Sequence, residues 1–339
     1  MTIKDIARLS GCGVSTVSRV LNKRPDVSEQ TRARVLKVVE EYRFQPNSNA
    51  KHLKQQASSS IAVLVKGTQN MLFSDMVEKI QNLFYKKGHE VNIHYLDEDA
   101  DETRYAAQLY RERKPLGFMF LGGNLDYFRE GFSSITIPSV LLTNTAAALS
   151  YQNLSSFTTD DRAASSYAMD YLISKGHEKI GVIGGNFKVS EISRKRLYGC
   201  EDSLRRHGLA FDRQRDAVAA RFSMAAAYDA TQRLLQKRQD LTAIFAMGDI
   251  MAVGAIRALT DAGKEVPRDI SVVGYDGVEL SRYSIPRLTT IKQNTKQIVE
   301  QAVETLLRNI LLHAQKPVHK IIDFKLIEGE STRAVNSDK

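Results

Sequence analysis

Several common protein classes are excluded by what this chain has little of. Its 339 residues include only two cysteines, Cys12 and Cys200, far apart and without a Cys-x-x-Cys spacing. That argues against a disulfide framework or a thiolate zinc site and fits a reducing compartment. No apolar run approaches the roughly 20 residues that a membrane span needs. The opening MTIKDIARLS lacks the apolar stretch of a secretory signal, so a cytoplasmic protein is expected. The Gly-rich GVIGGN is not followed by Gly-Lys-Ser/Thr and is no Walker loop. No Gly-x-Ser-x-Gly elbow and no histidine pair at zinc spacing is present. His177, in KGHEKIG before an expected strand, reads as structural. No catalytic residue, metal or cofactor is therefore expected.

Charge is plentiful but uneven. The chain carries 48 Lys/Arg against 39 Asp/Glu, a formal +9. The first 60 residues hold 11 of the basic and 5 of the acidic residues, or +6, which leaves +3 for the other 279. A polyanionic partner for the N-terminal piece follows as the working expectation. A merely solvated basic face would give the same count.

The pattern of that piece is more specific. Thr2 and Asp5 form a capping-box signature, so a helix is expected from Ile3, with Ile6, Ala7 and Leu9 in its apolar stripe. Gly11 ends it. A second helix is expected over Val14 to Asn22, with Val17, Val20 and Leu21 turned toward the first. Ser28 caps a third, with Val35, Leu36, Val38, Val39 and Tyr42 as its buried stripe. Two helices joined by a Gly-containing turn make a helix-turn-helix. The free face of the second helix carries Val14, Ser15, Ser18, Arg19 and Asn22. Arg reads guanine, Ser and Asn donate or accept, and a Val methyl meets a thymine methyl. An ordinary three-helix bundle with a polar surface would share much of this pattern.

TIKDIARLSGCGVSTVSRVLN and VSEQTRARVLKVVEEYRFQPN resemble the DNA-binding headpiece of the lactose-repressor/galactose-repressor family. The family's Thr-Val-Ser-Arg-Val stands as Thr16-Val17-Ser18-Arg19-Val20, and its Val-Ser-x-x-Thr-Arg as Val27-Ser28-Glu29-Gln30-Thr31-Arg32. Gly13 stands where the family usually has a capping Ser, so one phosphate contact is lost or passes to a backbone N–H. Base contacts are expected from Val14, Ser15 and Arg19. Phosphate contacts are expected from Thr2, Ser18, Asn22, Ser28 and Thr31, and Thr16 belongs to the same interface. The following FQPNSNAKHLKQQASSS is too short to hold a helix alone. By the resemblance it is a hinge helix that forms on DNA, with Asn47 at its start. Ala50 and Leu53 match the minor-groove positions, and Leu53 is the wedge.

From Ile61, short apolar runs alternate with helical patterns, which predicts parallel sheets covered on both faces. Two such series imply two lobes, similar to the type I periplasmic-binding-protein fold of the same family. The expected domains are a helix-turn-helix headpiece over 1–46, a hinge and linker over 47–59, and an effector-binding and dimerisation core over 60–333. Within the core, 60–158 and 288–318 are assigned to one lobe, and 159–287 and 319–333 to the other.

Ligands in open parallel sheets sit beyond the carboxyl ends of the strands. There Asp276 offers an acceptor and Arg196 a fork of donors, which suits vicinal hydroxyls or a small polar heterocycle. Phe73 and Phe222 offer flat faces, though both also read as core aromatics. By the resemblance, Arg196, Phe222 and Asp276 fall on effector-contacting positions, with Ser190 and Thr143 on others. The chain departs from the family at Gly248-Asp249, Asp276-Gly277, Thr143-Asn144 and Asn70-Met71-Leu72-Phe73, which removes polar groups typical of a hexose site. Asp249 then reads as a helix cap. The expected function is a homodimeric, operator-binding transcriptional regulator. A repressor, located at the nucleoid through DNA, is expected, with a small-molecule effector of carbohydrate type; the departures leave open an unusual sugar, a phosphorylated sugar, another ligand, or a weak or absent effector site. The competing reading, a small-molecule binding protein without DNA activity, leaves the first 55 residues without a purpose, as does a sugar- or nucleoside-processing enzyme.

Overall fold

The structure, a computed structural model, describes residues 2–21, 26–42, 44, 60–68, 70–314 and 316–335. The chain divides into two compact units, Met1–Ala57 and Ser58–Lys339. The expected Asn22 contact and the hinge residues Asn47, Ala50 and Leu53 lie outside the described residues.

In the first unit, the Asp5 carboxylate accepts from the Thr2 backbone N–H at 2.9 Å and from its hydroxyl at 2.8 Å. The Thr2 oxygen in turn accepts the Asp5 N–H, completing the capping box that starts α1 (Ile3–Ser10). Gly11, at φ 63°, ends it in the left-handed region. α2 (Val14–Leu21) and α3 (Glu29–Glu41) follow, and Ser28 caps α3 by accepting from the Thr31 N–H. Ile6, Ala7, Val17, Val20 and Val35 form the buried core. Leu9, Leu36 and Tyr42, expected to point inward, are exposed. Three short helices enclose too little volume to cover every apolar side chain. Leu36, about 100° round the helix from Val35, falls on the solvent side.

The second unit contains two six-stranded sheets. The first has strand order β11-β5-β4-β3-β1-β2, built from β1 (Ser60–Lys66), β2 (Glu90–Leu96), β3 (Gly117–Leu121), β4 (Ser139–Leu142), β5 (Leu154–Thr159) and β11 (His319–Ile322). The second is β12-β10-β9-β8-β6-β7, from β6 (Ile180–Gly184), β7 (Ala217–Ala219), β8 (Ala243–Ala246), β9 (Ser271–Asp276), β10 (Thr289–Gln293) and β12 (Phe324–Ile327). All pairings are parallel except β10 with β12.

Helices cover both faces, which explains the continuous apolar runs. On the first sheet these are α4 (Met71–Lys86), α5 (Glu102–Arg113), α6 (Leu125–Gly131) and, from late in the chain, α11 (Thr295–Leu311); on the second, α7 (Asp161–Ser174), α8 (Glu191–Arg206), α9 (Met224–Lys237) and α10 (Asp249–Asp261). Side-chain alternation along β1 shows the two-sided burial. Ile61, Val63 and Val65 join the core with α4 and α11, while Ala62 and Leu64 join the one with α5 and α6. No helix among the described residues is long and apolar enough to cross a membrane.

The lobe boundaries need correction. Of the range 288–318, expected in the first lobe, α11 does cover the first sheet, but β10 pairs with β9 in the second. Of the range 319–333, expected in the second lobe, β12 does pair with β10 in the second sheet, but β11 pairs with β5 in the first. The chain therefore crosses between lobes at 159–161, 293–295 and 322–324, three residues or fewer each time. Asp323 alone separates two strands of different sheets, and such a break leaves no turn signature in the sequence.

Candidate functional site

Two regions gather the residues singled out in the sequence. The first is the outer face of α2. Val17 and Val20 are buried against the bundle, so the face opposite is fixed outward: Val14, Ser15 and Arg19 are exposed, and Thr16 and Ser18 half-buried. No acid stands in the first turn of α2, and Gly13 before it is exposed. The unpaired N–H groups of that helix start therefore face no competing carboxylate. Arg19 lies 3.6 Å from Asp26, both well exposed, a pairing weak enough to exchange for another anion. Hydroxyl bookkeeping separates the expected phosphate contacts. Thr2 already donates to Asp5 at 2.8 Å. Ser28 donates to Thr31 at 2.9 Å, which leaves the Thr31 proton available.

The second region is a cleft of about 650 Å³ at the carboxyl ends of the strands, between the two sheets. Phe73, Thr143, Ser190, Arg196, Phe222 and Asp276 all line it. Arg196, in α8, is held by the start of α7 and the end of β8: Nε donates to Asp161 at 2.8 Å and an Nη to the Met247 carbonyl at 2.5 Å. Its guanidinium lies 3.7 Å from the Tyr275 ring centroid, and the Tyr275 hydroxyl donates to the same Asp161. Burial opposes its charge, but Asp161, Tyr275 and Asp276 more than offset that and raise its pKa. Asp276 sits 3.9 Å from Arg196, and its Oδ1 accepts from Gln293 at 2.8 Å. Burial pushes this carboxyl up to about 6, against the pull of Arg196 and Gln293.

Thr143 has φ 67° and a buried hydroxyl without a partner. A β-branched residue in that region is strained, and such strain concentrates at ligand clamps. Ser190 caps α8 through the Ser193 N–H, and also accepts from the Ser193 hydroxyl at 3.0 Å. Phe73 and Phe222 serve both roles weighed for them, packing into the cores while walling the cleft.

Two family departures have physical explanations. A Cβ on Gly277, at φ 67°, would stand 2.5–2.6 Å from Lys292 atoms including its Cα, so β10 leaves no room for Asp there. Gly248 is different. Its backbone is extended, and a Cβ would make ordinary contacts 3.4 Å from Phe222 and 3.6 Å from the Asp276 carboxylate. Glycine there leaves space that a side chain would fill. Asp249 is not the cap of α10; that position is Gly248. Asp249 is buried and accepts from the Val278 N–H at 2.8 Å and the Thr290 hydroxyl at 2.5 Å, tying the loop after β9 to β10. Burial first, and then Asp276, raise its pKa.

Sequence reading missed much of the cleft. Lys66, Asp97, Glu98, Asp99, Tyr127 and Arg221 also line it. Lys66 pairs at 2.8 Å with Glu102, whose other oxygen accepts the Asn124 N–H at 2.6 Å. Arg221 pairs with the Asp97–Asp99 run. The available signal was position at a strand end: Lys66 closes β1, Asp97–Asp99 follow β2, and Arg221 follows β7.

Residues 2–47 match the model for bacterial regulatory proteins of the lacI family, and residues 169–332 that for a periplasmic binding protein-like domain. The HTH-type transcriptional regulator MalR of Clostridium butyricum is 38% identical over 339 residues, 98% of this chain and 99% of that protein. The chain belongs to the LacI family. Among solved structures, the LacI-family lac repressor dimer bound to operator and the anti-inducer ONPF is 26% identical with a TM-score of 0.71, covering 98% of this chain and 99% of that one. A LacI family regulator from Enterococcus faecium with bound ribose is 26% identical, TM-score 0.71, covering 82% of this chain and 100% of that one.

Proposed function

We infer that this LacI-family chain, a transcriptional regulator and not an enzyme, is a homodimeric repressor that reads a pseudo-palindromic operator and answers to a neutral sugar in the interlobe cleft. The observation that carries the DNA reading is the orientation of α2. Val17 and Val20 are buried, and Val14, Ser15 and Arg19 are left outward on the most basic part of the chain. Val14, Ser15 and Arg19 contact base edges. Thr16, Ser18, Asn22, Ser28 and Thr31 contact phosphates, and Asn47, Ala50 and Leu53 extend the interface through the hinge. Thr2 contributes mainly by fixing the start of α1. Such a protein works in the cytoplasm, at the nucleoid. Against a duplex selected from a random pool, Arg19→Ala is expected to weaken binding by roughly 1–3 kcal/mol. Equal anisotropy curves for the two proteins would remove Arg19 from the base-reading face.

Charge narrows the effector. The cleft is lined by three cations, Lys66, Arg196 and Arg221, and four carboxylates, Asp97, Glu98, Asp99 and Asp276. Each cation is already paired with a carboxylate. Among the described residues that line the cleft, no cation is left to neutralise a phosphate, whereas the Asp276 and Arg196 groups, the Thr143 hydroxyl and the two Phe faces suit the hydroxyls and apolar face of an uncharged ring. The LacI family regulator with bound ribose supports the same class. A thermal-shift screen of neutral sugars against their phosphates is expected to raise Tm only with the neutral set. Stabilisation by a sugar phosphate alone would reverse the assignment.

A further inference from the structure

The three connections between the lobes leave from β5, β10, β11 and β12. In each sheet these strands form one edge, β11-β5 in the first and β12-β10 in the second. The opposite edges are β2 and β7. Immediately beyond β2 stand Asp97, Glu98 and Asp99, and just after β7 stands Arg221. The Arg221 guanidinium reaches across the cleft to within 2.6 Å of Asp97, 3.0 Å of Asp99 and 3.8 Å of Glu98. We propose that Arg221 and this acidic run are a clasp that holds the lobes together at the edge farthest from their connections, and that the spacing of the lobes without effector depends on it.

The position gives the clasp its leverage. Four strand spacings of about 4.8 Å separate β5 from β2, and β10 from β7, which places the clasp about 19 Å from the connections. A lobe rotation of about 10° would then move Arg221 by about 3 Å, enough to take it out of hydrogen-bond range. Contacts beside the connections, such as Thr159 to Gln293 at 3.0 Å, barely change under the same rotation. A further side-chain contact between lobes, Lys195 to Asn144 at 3.2 Å, involves a neutral partner and lies beside the central strand β4.

The chemistry makes the clasp two-sided. With Arg221 in place, three adjacent carboxylates share one counter-charge. With Arg221 removed, the acidic run keeps the Phe222 N–H against Glu98 and the influence of Lys66 on Asp97, but among the described residues no cation of the facing lobe pairs with it. Arg221, Asp97 and Asp99 are open to solvent, with the Arg221 side chain 54% and the Asp99 side chain 71% exposed, while Glu98 is half-buried, so dissolved salt screens most of the clasp. The inference needs no effector and stands whether or not the sugar assignment holds.

The test measures lobe spacing in the full chain without effector. Spin labels go on Arg104→Cys in α5 and Gln232→Cys in α9, both exposed and on different lobes. Cys12 is changed to Ser, and buried Cys200 stays unreactive. Distances are read by pulsed dipolar spectroscopy at about 10 mM and about 1 M salt, where the Debye length is ~30 Å and ~3 Å. The expected result is a narrow, short distribution at low salt that lengthens by several ångströms at high salt. Arg221→Glu should give the long distribution at both salts, and Arg221→Gln an intermediate one that salt no longer shifts. Adding Asp97→Lys and Asp99→Lys to Arg221→Glu should restore the short distance. Distributions that are the same for wild type, Arg221→Gln and Arg221→Glu would overturn the clasp, as would a salt response that survives loss of Arg221.

Discussion

At the scale of single residues, Arg196 bears two duties that pull on the same guanidinium. It neutralises buried Asp161 and also faces the cleft. Arg196→Ala would strand that carboxylate, so the variant should lose about 3–5 kcal/mol in denaturant unfolding. Unaltered stability would mean Asp161 does not need it. Asp276 carries a pH signature. Its folded pKa near 6 lies above the ordinary 3.8, with burial as the main cause. Between those values the folded chain keeps a proton that the unfolded chain has released, so stability falls as pH rises from about 4 to 6 and levels off above. The full swing is at most about 3 kcal/mol. Asp276→Asn should abolish that part of the slope in unfolding curves taken across the window. Parallel pH profiles for wild type and variant would contradict the buried, proton-holding carboxyl. Gly277→Asp, which would restore the family's more usual pair, should destabilise by about 1–3 kcal/mol through the left-handed φ, and by more through contact with Lys292.

At the scale of elements, the start of α2 offers a gain rather than a loss. Gly13 lacks the hydroxyl that its relatives' capping Ser would supply. Gly13→Ser should leave stability within a few tenths of a kcal/mol. It should tighten operator binding by roughly 1 kcal/mol if the new hydroxyl finds a phosphate. Anisotropy titrations that show no tightening would leave that phosphate to the backbone. The same elements show how far a sequence can be read. Helices such as Asp161–Ser174 and Met224–Lys237 are legible in the sequence because cap and period agree, with Asp160 and Ser223 as their caps. Strand β5, LSSFTT, went unread because its composition is polar, yet every residue is buried. Its hydroxyls are satisfied by distant chain: Ser155 accepts from the Val318 N–H, Ser156 bonds His319, and Thr159 donates to Gln293. Asp249 was misread as a cap for a related reason, since its partners Val278 and Thr290 lie in other elements. The six expected effector residues all line the cleft; Thr143 and Asp276 stand at strand ends that the sequence marks, whereas Ser190 and the effector roles of Arg196 and Phe222 came from the family resemblance. Arg221 and Asp97–Asp99 face each other only once two sheets stand edge to edge, which no local pattern encodes.

At the scale of the whole molecule, charge and architecture divide the labour. The basic surplus sits in the first 60 residues, and the cleft, with more carboxylates than cations, sits in the rest. One part is suited to a polyanion and the other to an uncharged ligand. The central claim, that the first unit binds DNA by phosphate neutralisation and reads its sequence with α2, is tested most directly by the salt dependence of operator affinity. Full-length protein is titrated with a selected operator and with a scrambled duplex of equal length, from about 50 to about 200 mM salt. Affinity for both duplexes should fall steeply, by ~10³-fold or more for the operator, while the operator stays the tighter at every point. An affinity that is flat with salt, or the same for the two duplexes throughout, would contradict the account.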